Sequence, residues 1–203
     1  MSPKESDRRR QILDAAQKVF AARGFEGASI KDLAKAAKIS PGLLYWYFKD
    51  KTDLLVSLMT ERIEGALGAL PGSVSFDAPP EEFLRQFGCY YAGLFEQPMN
   101  SALFKVMIAN TGVLPAAVHQ VQSSVISRVM GTVQSYLQSQ IAIGRLRPCD
   151  TEMVTRTFMG SIVAFLLLRH VLQNERAQAL PIEQVVGGIT DVVLHGILPM
   201  DRS

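Results

Sequence analysis

Between residues 29 and 51, in SIKDLAKAAKISPGLLYWYFKDK, hydroxyls, aromatics and lysines are interleaved in a way that suits contact with a polyanion. Ser29, Ser40, Tyr45 and Tyr47 carry hydrogen-bonding hydroxyls, and Lys31, Lys35, Lys38, Lys49 and Lys51 surround them with positive charge. Donors among basic side chains are the usual equipment for holding phosphate oxygens. Leu43 adds an apolar side chain among them. This chemistry is binding rather than bond-making. An enzyme would show convergent ionisable groups among its apolar segments, whereas here Glu96, Lys105 and Arg128 are scattered. Cys89 and Cys149 are distant singletons, and His119, His170 and His195 are too dispersed to suggest a metal site or a base. Neither a metal nor a cofactor is expected, and an all-helical enzyme or carrier is the least supported alternative.

The elements that must present these residues are spelled out in capping signals. Ser29 followed by Asp32 forms a capping box, so a helix starts at about residue 29, with Ile30, Leu33, Ala34 and Ala37 on its apolar face. Lys38 and Ile39 interrupt it. Ser40 then caps a second helix with Pro41 at its first position. Leu44 and Phe48, four apart, turn inward, which leaves Leu43, Tyr45, Tyr47 and the Ser40–Gly42 end facing away. Upstream, Ile12, Ala15, Ala16, Val19 and Phe20 give an amphipathic first helix that Gly24 ends in a left-handed exit. The pattern is a helix-turn-helix with its outward face built for DNA.

The run Leu44, Tyr45, Trp46, Tyr47, Phe48, Lys49 and Lys51, preceded by the first helix and Gly24–Phe25, resembles the DNA-binding domain of the tetracycline-repressor-like (TetR) family over residues 8 to 55. That resemblance implies roles. Ser29 falls on a phosphate and Lys31 within reach of a base edge or phosphate, and Tyr45 and Lys51 match the family's phosphate-binding tyrosine and lysine. Ser40, Pro41, Gly42, Leu43 and Tyr47 fall where members read bases, Leu43 departing from the hydrogen-bonding residues often found there. Lys49 belongs to the same basic exit. Trp46 is expected to pack near the next helix.

Charge divides the chain in the same place. Residues 1–51 hold 11 Lys and Arg against 6 Asp and Glu, net +5, while residues 52–203 hold 10 against 13, net −3. Arg8, Arg9 and Arg10 are placed to follow the DNA backbone or minor groove, and Met1–Asp7 is expected to be irregular. The expected domains are a helix-turn-helix domain over 1–52 and a helical effector-binding and dimerisation domain over 53–203. No signal sequence is apparent, and the apolar run 157–168 is too short to span a bilayer, so a cytoplasmic protein without membrane attachment is expected.

The remainder predicts an all-α fold, with helices near 50–69, 80–96, 100–110, 115–143, 150–175 and 181–198 and no sheet. In the last two, Gly160, Val185, Ile189, Val192 and Gly196 mark a face for homodimerisation, as the resemblance also implies. Two recognition helices then reach successive major grooves of a near-palindromic operator in double-stranded DNA. The middle helices offer Phe87, Tyr90, Phe104, Met107, Ile108, Met130 and Phe158 as the lining of a site for a small hydrophobic effector, with the Tyr90 hydroxyl as polar anchor. A ligand-responsive repressor is the resulting expectation; a regulator or activator controlled by a protein partner is the alternative.

Overall fold

The computed structural model describes residues 3–70, 74–109, 112, 123 and 126–197. Every regular element among them is helical. They are α1 (Pro3–Arg23), α2 (Ile30–Ala36), α3 (Pro41–Tyr47), α4 (Lys51–Ala69), α5 (Pro80–Leu94), α6 (Pro98–Ala109), α7 (Ser127–Ala142), α8 (Thr151–Leu166), α9 (Glu175–Ala179) and α10 (Ile182–Ile197). Residues 115–122, 124 and 125 of the expected helix 115–143 lie outside the described residues, His119 among them; its later part is α7.

The chain divides into two compact units, one of residues 1–65 with 97–125, the other of 66–96 with 126–203. In the first unit, Ile12, Ala16 and Phe20 of α1 pack with Leu33, Ala34, Leu44 and Phe48, and Leu54, Leu55 and Leu58 of α4 join the same core. Leu103 and Val106 of α6 also belong to it. Burying the leucines, isoleucine, valine and phenylalanines among them contributes roughly 1.5–3 kcal/mol each, which fixes helices too short to stand alone. Residues 3–7, expected to be irregular, form the first turn of α1.

In the second unit α5, α7, α8 and α10 pack on one another around Phe83, Phe87, Leu137, Phe158, Ile162 and Val186. Gly88 permits the tightest approach: a Cβ there would lie 2.6 Å from Val186, 3.1 Å from Phe158 and 3.2 Å from Ile162. Phe83 stacks on Tyr136 with ring centroids 3.5 Å apart, and the Tyr136 hydroxyl donates to the Ala78 carbonyl at 2.7 Å. Burial pushes that phenol up to about 12.

The helix expected over 150–175 is interrupted. After Leu166 it widens into a π turn, Leu167–Val171, and Gln173 takes a left-handed φ of 52°, so α9 starts afresh at Glu175. Arg169 holds this break together by donating to the carbonyls of Ala177, Gln178 and Leu180 at 2.8, 3.1 and 2.9 Å and pairing with Glu96. Thr151–Val171 has the length and hydropathy that crossing a membrane requires. Its Phe158, Ile162 and Leu166 are nevertheless buried inside the unit.

Candidate nucleic-acid interface

Local chemistry holds the turn between α2 and α3. The Ser29 hydroxyl accepts from the Asp32 N–H at 3.1 Å, and the Asp32 carboxylate accepts from the Ser29 N–H at 3.2 Å and from its hydroxyl at 2.6 Å. The Ser29 hydroxyl and backbone hydrogen bonds, with Arg23 alongside at 2.9 Å, hold the Asp32 carboxyl below its ordinary value. At the turn, Lys38 adopts φ 54°, the Ile39 N–H donates to the Ala34 carbonyl at 3.0 Å, and Gln11 of α1 clamps the Ala37 carbonyl at 2.9 Å. Ser40 caps α3 through the Leu43 N–H at 3.2 Å. Gly24 supplies the left-handed exit from α1 at φ 70°.

These constraints leave one solvent-facing surface. Ser29, Lys31, Lys35 and Lys38 are exposed, as are Ser40, Pro41, Gly42, Leu43, Tyr45 and Lys49, while Leu33, Ala34, Leu44 and Phe48 are buried beneath them. The surface combines hydroxyls, an aliphatic side chain, an aromatic ring and ammonium groups without a buried cleft. Such an arrangement suits an extended anionic partner with readable edges.

Three residues depart from the expected picture. Trp46, expected to pack, is 65% exposed and meets the Tyr47 ring edge-on at 4.7 Å. Tyr47, expected to face away, is half-buried against the core and tilted over Phe48 at 6.4 Å. Lys51 is half-buried as well; its Nζ donates to the Phe25 carbonyl at 2.8 Å and sits 4.2 Å from the Phe25 ring centroid. Of the arginines, Arg8 donates to Gln11 at 2.8 Å, and Arg9 pairs with Glu61 while lying 5.0 Å over the Phe48 ring.

The effector candidates fall in different units. Phe104, Met107 and Ile108 lie on α6 in the first unit, Phe104 buried and Ile108 exposed. Phe87, Tyr90, Met130 and Phe158 lie in the second, where Phe87 and Phe158 are fully buried. The Tyr90 hydroxyl donates to the Ala66 carbonyl at 2.6 Å, so an internal bond occupies the expected polar anchor. A groove of about 400 Å³ is lined by Asp7, Arg10, Gln11, Asp14, Ala15, Lys18 and Ala36, none of them an effector candidate. Among the dimer candidates, Gly160 is exposed with open space above it, Val192 is 75% exposed, and Val185 and Ile189 are half-buried. Gly196 lies within α10. Among the described residues no cluster of His, Cys, Asp or Glu has the makings of a metal site. Gly88, which sets the closest helix approach, carries no sequence signal beyond being a glycine inside an amphipathic helix.

Comparison with known proteins agrees with the fold and the exposed helix. Residues 12–58 match the model for bacterial regulatory proteins of the tetR family, and residues 82–196 match that for the AefR-like transcriptional repressor C-terminal domain. The HTH-type transcriptional repressor NicS of Pseudomonas putida is 26% identical over 204 residues, covering 95% of this chain and 94% of that protein. The transcriptional regulator FadR of Bacillus subtilis, solved in complex with stearoyl-CoA, superposes with a TM-score of 0.77 at 19% identity over 92% of this chain and 98% of that one. The flavonoid-responsive regulator FrrA gives a TM-score of 0.74 at 25% identity over 96% and 99%. With one family model on its helix-turn-helix and another spanning more than half its length, the chain belongs to the TetR family of DNA-binding transcriptional regulators.

Proposed function

We propose that the protein is a repressor that binds a near-palindromic operator as a homodimer and leaves it when a small hydrophobic effector binds. The observation that carries the DNA-binding surface is the continuous exposure of Ser40, Pro41, Gly42, Leu43 and Tyr45 on α3, flanked by exposed Ser29, Lys31 and Lys49. In this reading Leu43 contacts a thymine methyl and Tyr45, Ser29 and Lys49 hold phosphates. Lys51 contributes through the ammonium donors that its bond to Phe25 leaves over, since an ammonium has three. Exposed Trp46 joins the contact surface, and Tyr47 supports it from below.

Dimerisation uses the outward faces of α8 and α10. Met153, Thr157, Gly160 and Ala164 follow one another along the first, with Leu168 of the π turn beyond them, and Val185, Gly188, Ile189 and Val192 along the second. Small residues with open space at Gly160 and Gly188 admit close helix packing. DNA contact thus belongs to residues 1–52, and effector binding and dimerisation to 53–203. A hydrophobic effector agrees with the apolar interior and with the apolar parts of what two relatives hold or respond to, the acyl chain of stearoyl-CoA for FadR and flavonoids for FrrA. The protein acts on DNA in the cytoplasm.

A mobility-shift assay on the DNA flanking its own gene, with stearoyl-CoA and a flavonoid added in turn, tests this reading. Retardation at nanomolar protein that an apolar compound reverses is expected. Retardation that no apolar compound relieves would favour control by a protein partner.

A further inference from the structure

Two buried threonines in the second unit depart from the usual pairing of buried polar groups. Thr155 on α8 and Thr190 on α10 are 1% and 0% exposed, and among the described residues neither hydroxyl has a hydrogen-bond partner. A helical threonine ordinarily donates to the carbonyl four residues back. Thr157 and Ser161 do so on α8 itself, at 2.9 and 2.8 Å, as does Thr132 on α7 at 3.1 Å. In the same unit the half-buried Tyr90 phenol donates to Ala66 and the buried Tyr136 phenol to Ala78. The two hydroxyls that most need a partner are the two without one, and such groups call for an explanation.

Their register brings them to one level. Arg169, just beyond α8, reaches the Leu180 carbonyl just before α10, and Phe158, Ile162 and Val186 meet at Gly88, so α8 and α10 run antiparallel. Thr155 lies three residues before Phe158, and Thr190 four after Val186, which carries both to the same side of the Gly88 layer. At 1.5 Å of rise per residue they stand within about one turn of each other along the helix axes. The Gly88 layer is tightly filled, whereas about one turn further along Thr155 and Thr190 bury two unmatched polar atoms. No charged side chain among the described residues is buried in this unit, so a charged group there would lose its hydration uncompensated.

We propose that Thr155 and Thr190 form the polar recognition point of a buried site for a neutral hydroxyl or carbonyl group carried on an otherwise apolar small molecule. This rests on the effector-responsive reading above and adds the group that gives the effector its specificity. A hydroxyl or carbonyl supplies the missing partners, and an apolar analogue of the same shape does not. Because both threonines are closed off from solvent, the site fills through a transient opening of the α8–α10 layer.

Phenol and toluene are nearly isosteric and differ by the hydroxyl. Ligand-observed NMR at millimolar probe should show phenol binding the wild-type protein about tenfold more tightly than toluene. Thr155→Val with Thr190→Val should erase that preference, leave operator binding unchanged, and raise the melting temperature by about 2–4 °C by removing unmatched polar atoms. Equal binding of the two probes, no phenol binding to wild type, or a lowered melting temperature in the valine variants would overturn the proposal, the last by indicating that the hydroxyls are satisfied by internal water. Operator retardation in the same samples separates the two readings: DNA binding without phenol preference removes the site and leaves the regulator, whereas absence of DNA binding removes the regulator and leaves the phenol comparison to decide the site.

Discussion

Tyr47 and Trp46 are neighbours on one short helix, yet the first is half-buried and the second stands out in solvent. Helical rotation of 100° per residue separates them, and the inward pair Leu44 and Phe48 decides which goes where. The spacing of four identifies this inward pair and the outward Tyr45, but it assigns Tyr47 outward and Trp46 to packing, the reverse of the structure, because each ring is apolar enough to be buried and polar enough to be exposed. Leu43→Ala and Trp46→Ala should therefore change the selected operator consensus, with penalties of roughly 1–3 kcal/mol at particular base pairs. Tyr47→Ala should lower the melting temperature as well as the affinity. Recovery of the wild-type consensus from Leu43→Ala and Trp46→Ala would remove those two from base reading. Lys51 has a double role to test, since its Nζ already holds the Phe25 carbonyl. Lys51→Ala should weaken operator and random DNA alike, flatten the salt dependence by about one unit of slope, and reduce thermal stability. A full salt slope in the variant, measured by titration between low and physiological salt, would leave it with the structural role alone.

Helix ends were the most legible elements, because caps are local. Ser29 with Asp32, Ser40 with Pro41, and Gly24 all mark boundaries that a single residue's hydrogen bonding or backbone sign determines. The π turn at 167–171 was not legible: its apolar residues continue the helical pattern, and the break depends on Arg169 finding three carbonyls and Glu96 at a distance in sequence. Gly88 was illegible for a related reason, since only the assembled α5, α8 and α10 show what its missing Cβ makes room for. Gly88→Ala should cost about 1–3 kcal/mol through overpacking, read as a lower denaturant midpoint at unchanged slope. Wild-type stability would show that Val186 can move aside. The outward stripe of α10 predicts the opposite kind of failure. Val192→Asp should leave the fold of each protomer intact and make the protein monomeric at micromolar concentration in sedimentation, because its side chain is exposed in one chain and buried in the proposed pair. A stable Val192→Asp dimer would locate the interface elsewhere.

At the scale of the whole molecule, the basic amino-terminal part and the acidic remainder were evident from charge alone, whereas the packing of α6 into the core of α1–α4 was not. Leu103 and Val106 look like any apolar helix face, and only the contact shows that a segment following α5 returns to the DNA-binding unit. In the proposed function, a ligand that prefers another arrangement of the helical domain shifts the population of DNA-competent dimers by its difference in affinity for the two states. Sequence-specific binding by a dimer is the central property of the proposed repressor. Selection of bound sequences from a random duplex library by the wild-type protein measures this directly. It predicts an enriched near-palindrome whose half-sites lie about one or more helical turns apart, 34–36 Å per turn, and whose enrichment is lost in Val192→Asp. A library that emerges unenriched, or a consensus without two-fold symmetry that Val192→Asp recovers equally well, would contradict it.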